Sequence, residues 1–309
     1  MKRLSSSEWI AHVLATDPPR HKSLVMTVCG DAIAPHGGAF WLGSMIELLA
    51  PLGVAERLVR TSVFRLVQEG WLTASREGRR SRYALEPAAL PRFERANRRI
   101  YAAPGLDWDG KWTFVLAPNG SIDSELRAQL RKELEWEGFA MLATGVMAHP
   151  APERDTLREI LARCRAEGKV FACEVAGLPG LEARPLPELV RDCWSLEGVI
   201  GGYRGFIKTF APLPELLGNG DVTPREAFAM RTLLIHAYRR VQLHDPMLPL
   251  ALLPHPWPGA EAYALAAAIY RQCQARAEEH LLAMLRREDA ATPDADASFH
   301  RRFGGPAAD

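Results

Sequence analysis

The sequence lacks the features that mark membrane, secreted and metal-binding proteins. It has no run of about 18 uncharged residues, so no transmembrane helix is predicted. Its five cysteines are scattered without a C-x-x-C pair, which indicates neither a disulfide framework nor a zinc site. The first 20 residues include Glu8 and Asp17 and no long apolar core, so no secretory signal is predicted. We therefore expect a soluble, cytoplasmic protein that binds no metal.

No catalytic motif is present either. The chain has no G-x-S-x-G elbow, no H-E-x-x-H zinc motif and no Walker-type glycine loop. Ser195, His236 and Asp245 are the residue types of a hydrolytic triad, but such a set is expected by chance in a chain of 309 residues. We therefore predict that the protein is not an enzyme. An acyl-coenzyme A thioesterase is the enzymatic alternative.

Length and composition indicate a modular globular chain. At 309 residues it is about twice as long as a typical domain, which favours two or three compact units. Apolar residues make up 48% and charged residues 24%, as in ordinary globular proteins. The net charge of +1 does not bear on nucleic-acid binding, because an acidic remainder can offset a basic domain. The local distribution of charge is therefore the informative feature.

The pattern of residues 22–86 predicts a winged helix-turn-helix that binds double-stranded DNA. Its elements are an apolar run that fits a helix or a strand (22–33), a short helix (41–50), a longer helix closed by Gly70 (54–70), and two strands (71–76 and 82–85) joined by residues 77–81. In this fold the second helix of the turn enters the major groove, and the hairpin, or wing, reaches the backbone or the minor groove.

Arginine is concentrated in this segment. Between Arg57 and Arg82 there are seven arginines and two acidic residues, a local net charge of +5. The guanidinium group fits phosphate oxygens and the N7/O6 edge of guanine. The predicted DNA contacts are Arg57, Arg60, Thr61 and Arg65 of the recognition helix and Arg79, Arg80 and Arg82 of the wing. The alternatives are a solvated surface for the arginines and, for Phe64 on the same face, packing against the first helix or the wing.

The rest of the chain alternates first between strands and helices and then becomes helical. After a helix at 87–101 and a linker at Pro104-Gly105, the predicted elements are strands at 112–117, 139–148 and 169–175 and helices at 121–137, 153–167, 186–217, 223–242 and 259–288. The β-α-β-α-β order of the central part predicts a ferredoxin-like domain.

The resulting fold class is α+β, with five segments. They are an N-terminal segment (1–21), a winged helix-turn-helix domain with its linker helix (22–103), a central ferredoxin-like domain (108–184), a helical C-terminal domain that senses an effector (185–288) and a tail (289–309). The tail is rich in Ala, Asp and Gly, so it is predicted to be disordered.

Four stretches carry a family resemblance. They are residues 23–85, GKWTFVLAP at 110–118, GFAMLATGVMAHP at 138–150 and HDPMLPLALLPHPWPG at 244–259. In these stretches the chain resembles the phenylacetic acid degradation repressors, the PaaX family. The resemblance implies a dimeric repressor that binds a palindromic operator upstream of phenylacetate catabolic genes and is released by phenylacetyl-coenzyme A. It also implies a central domain similar to the small CRISPR spacer-acquisition nuclease.

Nuclease activity is not expected in this chain. A magnesium-dependent nuclease needs carboxylate ligands at the end of its first strand. Here that strand runs into Ala117-Pro118-Asn119-Gly120, and the next acid is Asp123. We therefore expect the central domain to serve dimerisation or domain positioning.

The C-terminal half offers residues for an acyl-coenzyme A effector, which needs cations for its phosphates and an apolar slot for its acyl group. The candidates are Arg204, Lys208, His236, Arg239 and His244. The first two lie beside three glycines, which would let a phosphate approach backbone amides or would form a flexible interdomain turn. His236 is equally a candidate core or capping residue, and Trp257, between two prolines, a candidate packing anchor.

The sequence thus predicts a cytoplasmic homodimeric repressor that binds operator DNA and an acyl-coenzyme A effector and needs no cofactor. A repressor of a different aromatic or short-chain acid pathway on the same scaffold is the alternative.

Overall fold

A computed structural model of the chain describes residues 5–105, 108–176, 185–220 and 222–305. The α-helices are α1 (Ser6–Thr16), α2 (His21–Val28), α3 (Leu42–Leu49), α4 (Glu56–Gln68), α5 (Leu90–Tyr101), α6 (Ser124–Trp136), α7 (Arg154–Arg163), α8 (Leu186–Cys193), α9 (Glu197–Phe210), α10 (Leu213–Gly218), α11 (Pro224–Gln242), α12 (Pro258–Glu288) and α13 (Ala297–His300). The strands are β1 (Ala39–Trp41), β2 (Leu72–Glu77), β3 (Arg80–Leu85), β4 (Lys111–Leu116), β5 (Ala140–Ala143), β6 (Val146–His149) and β7 (Phe171–Ala176). Within these ranges, no helix is long and apolar enough to cross a membrane.

The described residues form two compact units. The first takes its residues from Met1–Ala103, Gly205–Arg240 and Ala262–Asp309, and the second from Pro104–Arg204 and Val241–Glu261. This division differs from the predicted one, because the segment 185–288 contributes to both units. Boundaries between the two sets of residues fall within the helices α9, α11 and α12.

The candidate DNA-binding region of the first unit begins with three helices, α2, α3 and α4. The run 22–33, for which helix and strand were both open, is helical: α2 continues into a π-helical turn at Cys29–Ile33. The next two helices, α3 and α4, lie within their predicted ranges. After α4 the chain passes through Gly70 with a φ of 71°, a left-handed conformation that favours glycine at a helix end.

A three-stranded antiparallel sheet in the order β1-β3-β2 completes this region. The predicted hairpin is present, but Glu77 pairs with Arg80, so the connection is two residues long and not the five of 77–81. The strand β1 was not predicted, since three residues are too few to show an alternating pattern. It pairs Phe40 with Tyr83, and the two rings stack at 5.7 Å.

Both ends of the described chain belong to the first unit. In α1, Trp9 is buried and its ring centre lies 5.4 Å from that of Phe210. The prediction of a disordered tail was wrong for residues 289–305, where α13 and the turn after it bury Phe299 and Phe303. Two buried aromatic rings offset the entropy lost when this polar segment becomes ordered. Residues 1–4 and 306–309 of the predicted end segments lie outside the described residues.

A cluster of charged and hydroxyl groups surrounds Asp31 in the core of the first unit. The Asp31 carboxylate accepts hydrogen bonds from the hydroxyls of Tyr101 and Tyr270, at 2.7 and 3.0 Å. It also forms ion pairs of 3.1 Å with Arg231 and with Arg302, both buried. The five residues come from the π-helical turn, α5, α12, α11 and the segment after α13. The cluster therefore joins parts of the chain that are far apart in sequence.

A second acid extends the cluster. Glu278 Oε1 accepts a hydrogen bond from Arg231 Nη1 at 2.5 Å, and Glu278 Oε2 lies 2.9 Å from His36 Nε2. Burial alone would raise the pKa of Glu278, but the hydrogen bond with His36 and the charge of Arg231 outweigh it and lower the pKa to about 2. Glu278 thus remains charged and offsets part of the positive charge of Arg231.

The second unit is built on a four-stranded antiparallel sheet in the order β5-β6-β4-β7. Along the chain its elements run β4-α6-β5-β6-α7-β7. The single strand predicted at 139–148 was wrong, because this stretch is a hairpin of β5 and β6. Its turn contains Gly145, where a β-carbon would lie 2.9 Å from the carbonyl oxygen of Ala117 and where φ is 79°. Residues 177–184, the predicted end of the domain, lie outside the described residues.

Each face of this sheet has its own apolar core. On one face, Val115 packs with Leu134 of α6 and Ile160 of α7. On the other, Trp112 packs with Trp194, which follows α8, and with other side chains from residues 190–257. The second core explains why part of the C-terminal half belongs to this unit.

Candidate nucleic-acid interface

The helix α4 separates a buried from an exposed face. The buried residues are Val59, Ser62, Val63 and Leu66. The exposed residues are Glu56, Arg57, Arg60, Thr61, Phe64, Arg65 and Gln68. With 3.6 residues per turn, Phe64 lies in the middle of the exposed face, and Arg60 and Arg65 lie along its two margins. All four residues predicted to contact DNA from this helix are therefore open to solvent on one side of it.

The cations of α4 differ in their partners. Arg60 donates through Nε and Nη2 to Glu56 Oε1, at 2.9 and 2.6 Å. In the described part of the chain, Arg57 and Arg65 have no carboxylate partner. The Thr61 hydroxyl donates to the Arg57 carbonyl oxygen at 2.9 Å. Because an exposed ion pair contributes little free energy, Arg60 can exchange Glu56 for another anion at low cost.

The turn of the β2-β3 hairpin holds one unpaired cation. Arg79 is exposed in the two-residue turn, and no carboxylate contacts it within the described ranges. Next to it, Arg76 Nε donates to the Gly78 carbonyl oxygen at 3.2 Å. The turn therefore presents the Arg79 guanidinium to solvent.

The other two wing arginines already have acidic partners. Arg80 Nη2 donates to Glu288 Oε2 at 2.7 Å, and the Arg80 guanidinium lies 4.2 Å from the centre of the Trp41 ring. Arg82 Nη2 lies 3.6 Å from Asp289 Oδ2. Glu288 is the last residue of α12 and Asp289 follows it, so the C-terminal segment offsets the charge of two of the three predicted wing contacts.

The predicted effector residues are divided between the two units. Arg204 and His244 belong to the second unit, and Lys208, His236 and Arg239 belong to the first. The glycines beside Arg204 and Lys208 lie inside α9. Backbone amides inside a helix donate to the carbonyl four residues earlier, so they are not free to bind a phosphate. The predicted phosphate turn was therefore wrong, and so was its alternative, a flexible interdomain turn.

His236 and Arg239 lie in the core of the first unit. His236 is 4% exposed, and its Nδ1 lies 3.0 Å from Thr27 Oγ1. Arg239 Nη1 donates to Thr27 Oγ1 at 3.1 Å and to the Ser23 carbonyl oxygen at 3.3 Å. These contacts hold α11 against α2, which contradicts an effector-facing position and fits the core alternative. His244 is exposed, as are Arg204 and Lys208.

The buried imidazole of His236 makes stability depend on pH. Burial, with Arg239 and Arg240 adding to the effect, lowers the pKa of His236 to about 4. The unfolded chain therefore binds a proton near pH 6.5 that the folded chain does not bind until about pH 4. We expect His236 to lower the free energy of unfolding by about 3 kcal/mol as pH falls across this window. Urea titrations should show a smaller loss for His236→Gln; an unchanged pH profile would contradict the assignment.

The second unit contains a recess that the sequence did not predict. It has a volume of about 350 Å³, including space open to solvent, and its lining includes Tyr203, Asp245, Leu253 and Trp257. The Tyr203 hydroxyl lies 2.5 Å from Asp245 Oδ2. The Trp257 ring meets the Tyr203 ring edge to face at 5.9 Å, so Trp257 forms part of the wall, in line with a packing anchor. The recess thus combines aromatic walls with one buried acid.

The central sheet shows no arrangement of metal ligands in its described residues. The strand β4 ends at Leu116, and the chain then runs through uncharged residues to Asp123, whose side chain caps α6 by accepting from the Leu126 amide. In the described ranges as a whole, no group of His, Cys, Asp and Glu is placed to hold a metal ion.

Comparisons with known proteins match most of the chain. Three family models match: PaaX-like protein at residues 20–89, the PaaX protein central Cas2-like domain at 105–184, and the PaaX-like protein C-terminal domain at 194–283. Transcriptional repressor PaaX of Escherichia coli (strain K12) is 37% identical over 299 residues, which are 96% of this chain and 94% of that protein. Uncharacterized protein Rv0674 from Mycobacterium tuberculosis is similar in fold, with a TM-score of 0.50 and 24% identity over 85% of this chain and 98% of that one. The predicted family is confirmed: the chain belongs to the PaaX-like proteins.

Proposed function

We propose that this protein is a cytoplasmic transcriptional repressor of phenylacetate catabolic genes, and not an enzyme. The observation that carries the proposal is the exposed face of α4, where Arg57 and Arg65 have no acidic partner among the described residues, together with Arg79 at the hairpin turn. Three unpaired guanidinium groups on one helix and the neighbouring turn suit a polyanion. The relative that is named a transcriptional repressor supports the same function.

The proposed DNA-binding domain, residues 22–103, is a winged helix-turn-helix. The helices α3 and α4 form the helix-turn-helix, and the β2-β3 hairpin is its wing. We assign α4 to the major groove and the wing to the backbone or minor groove. The proposed contacts are Arg57, Arg60, Thr61, Arg65, Arg79, Arg80 and Arg82.

The proposed central domain, residues 108–184, is ferredoxin-like. Its β-α-β-β-α-β order is the order of that fold, and the match to a Cas2-like family model supports it. We propose that it serves dimerisation or domain positioning in a homodimer. A dimer must hold its recognition helices about 34 to 36 Å apart, or a multiple of that, to reach successive major grooves. Sedimentation of the free protein tests this oligomeric state.

The proposed effector is phenylacetyl-coenzyme A. It must bind a DNA-incompetent conformation more tightly than the competent one, since equal affinity for both would shift nothing. Of the residues first suggested, Arg204, Lys208 and His244 are exposed and remain candidates for its phosphates. Alanine substitution of Arg204 that left effector release unchanged would remove that residue from the set.

The salt dependence of DNA binding should distinguish Arg79 from Arg80 as contacts of the wing. A cation that neutralises a phosphate releases a counterion and adds about 0.9 to the slope of log K against log salt. We expect Arg79→Ala to lower this slope by about one, because Arg79 has no acidic partner to exchange among the described residues. Arg80→Ala should lower it by less, because a phosphate must first displace Glu288 from Arg80.

The measurement is fluorescence anisotropy with a labelled fragment of the promoter, repeated from about 50 to 200 mM salt. Glu288→Gln serves as the matched variant, since it frees Arg80 without removing a cation and should steepen the slope. Equal slopes for the two arginine variants would show that the acid at the end of α12 does not compete with phosphate. A wild-type slope for Arg79→Ala would remove the hairpin turn from the interface.

A further inference from the structure

The middle of the exposed face of α4 carries an apolar ring. Phe64 is 59% exposed, and it stands between Thr61 and Gln68 on the same face. Packing against the first helix or the wing, the alternative raised by the sequence, does not hold for a ring this open to water. Burying a phenylalanine side chain is favourable, and the fold leaves most of that gain unused at this position because the ring is open to water.

The surroundings of Phe64 indicate what it could contact. The exposed face presents guanidinium donors from Arg57 and Arg65, a hydroxyl from Thr61 and an amide from Gln68. An apolar protein partner would have to desolvate these unpaired charges, whereas DNA would neutralise them. On the base edges of the major groove, the one apolar group is the C5-methyl group of thymine, and phenylalanine is among the side chains that contact it.

We propose that Phe64 contacts a thymine methyl group in the operator and is a specificity-determining residue. The inference rests on the proposed function, in which α4 enters the major groove. Arginine side chains then provide the attraction to the backbone and to guanine, while the ring at the centre of the helix distinguishes thymine from cytosine. We therefore expect the preference for thymine over cytosine at this position to come from the thymine methyl group and not from a hydrogen bond.

Replacing thymine with uracil tests this directly, because uracil lacks the methyl group and keeps every hydrogen-bonding atom. The promoter fragment is amplified once with dTTP and once with dUTP, so the position of the operator need not be known. One buried methyl group is worth about fourfold in affinity, and two half-sites of a dimer give about 15-fold. We expect the wild-type protein to bind the uracil fragment more weakly by about this factor.

The variant Phe64→Ala should bind both fragments with nearly equal affinity, and Phe64→Leu should retain part of the preference for thymine. The matched control is Leu90→Ala, which removes another exposed apolar side chain of the first unit, 41% exposed, and should keep the wild-type ratio. The wild type and Phe64→Ala, each measured on the thymine and the uracil fragment, form a double-mutant cycle. Its interaction energy isolates the contact between the ring and the methyl group from other effects of uracil on the DNA.

The possible outcomes test the role of Phe64 separately from the proposed DNA-binding function. Equal binding of both fragments by the wild type, or an unchanged ratio in Phe64→Ala, would overturn the assignment of Phe64 while leaving α4 as a DNA-binding helix. A change in sedimentation of Phe64→Ala with the wild-type ratio would instead place the ring in a contact between two copies. Absence of wild-type binding to the thymine fragment at low salt would overturn the proposed function itself.

Discussion

Replacing Asp31 with alanine is expected to lower the free energy of unfolding by about 3 to 5 kcal/mol. Its carboxylate is 3% exposed and accepts from Arg231, Arg302 and two tyrosine hydroxyls. Without it, Arg302 loses its ion pair with Asp31, and Arg231 keeps Glu278 as its one carboxylate partner in the described part of the chain. The two buried guanidinium groups would then carry a charge that neither water nor a sufficient counter-charge compensates.

Urea unfolding at pH 7 measures this loss. The matched control is Asp17→Ala, which removes an acid paired with Arg240 on the surface, where both side chains are more than half exposed. The control should lose little stability, because exposed pairs contribute little. A loss from Asp31→Ala as small as that of the control would show that the cluster around Asp31 does not hold the first unit together.

Replacing both Arg57 and Arg65 with alanine is expected to weaken operator binding by about 2 to 6 kcal/mol. Each arginine that contacts a base edge contributes about 1 to 3 kcal/mol of discrimination. Neither side chain has a carboxylate partner in the described residues, so no competing ion pair reduces the effect. Both are exposed, so the double variant should unfold at the same urea concentration as the wild type.

The matched control is the double variant Arg131→Ala and Arg158→Ala. It removes the same net charge from exposed positions on α6 and α7, where the arginines pair with Glu135 and Asp155. Anisotropy titrations should show a large loss on the operator for the first variant and nearly wild-type binding for the control. Equal losses would mean that net charge, and not the face of α4, determines affinity.

The helix α4 and the β2-β3 hairpin were predictable because the information that specifies them is local. The apolar spacing of residues 54–70 gives a helix with one buried face, and the arginines then fall on the other. The glycine after α4 and the two strands complete the pattern within about 30 residues. Local spacing was therefore sufficient for the proposed DNA-binding surface.

Short elements and chain ends were not predictable in the same way. The strand β1 has three residues, and the hairpin of β5 and β6 looked like one strand because its turn contains a single glycine. The tail after residue 289 has a polar composition, and its order depends on Phe299 and Phe303 reaching a core formed by distant segments. Composition does not report where such anchors pack.

Long-range pairing explains the remaining errors. Asp31 and Arg231 are 200 residues apart, and Arg80 and Glu288 are 208 apart, so no local pattern links them. His236 and Arg239 were assigned to an effector for the same reason, since their partners Thr27 and Ser23 are equally remote in sequence. A polar residue on a helix face can either form a hydrogen bond in the core or bind a ligand. Only the packed fold shows which of these roles it has.

The proposed function is that this protein holds an operator of phenylacetate genes and releases it when phenylacetyl-coenzyme A binds. Its most direct test is an anisotropy titration on the promoter fragment, repeated with phenylacetyl-coenzyme A, with phenylacetate and with coenzyme A, and with a parallel assay for free thiol. We expect tight binding to the promoter fragment, release by the thioester alone and no free thiol. Binding that is indifferent to all three compounds would point to another pathway, thiol release would indicate a thioesterase, and no binding at low salt would contradict the claim outright.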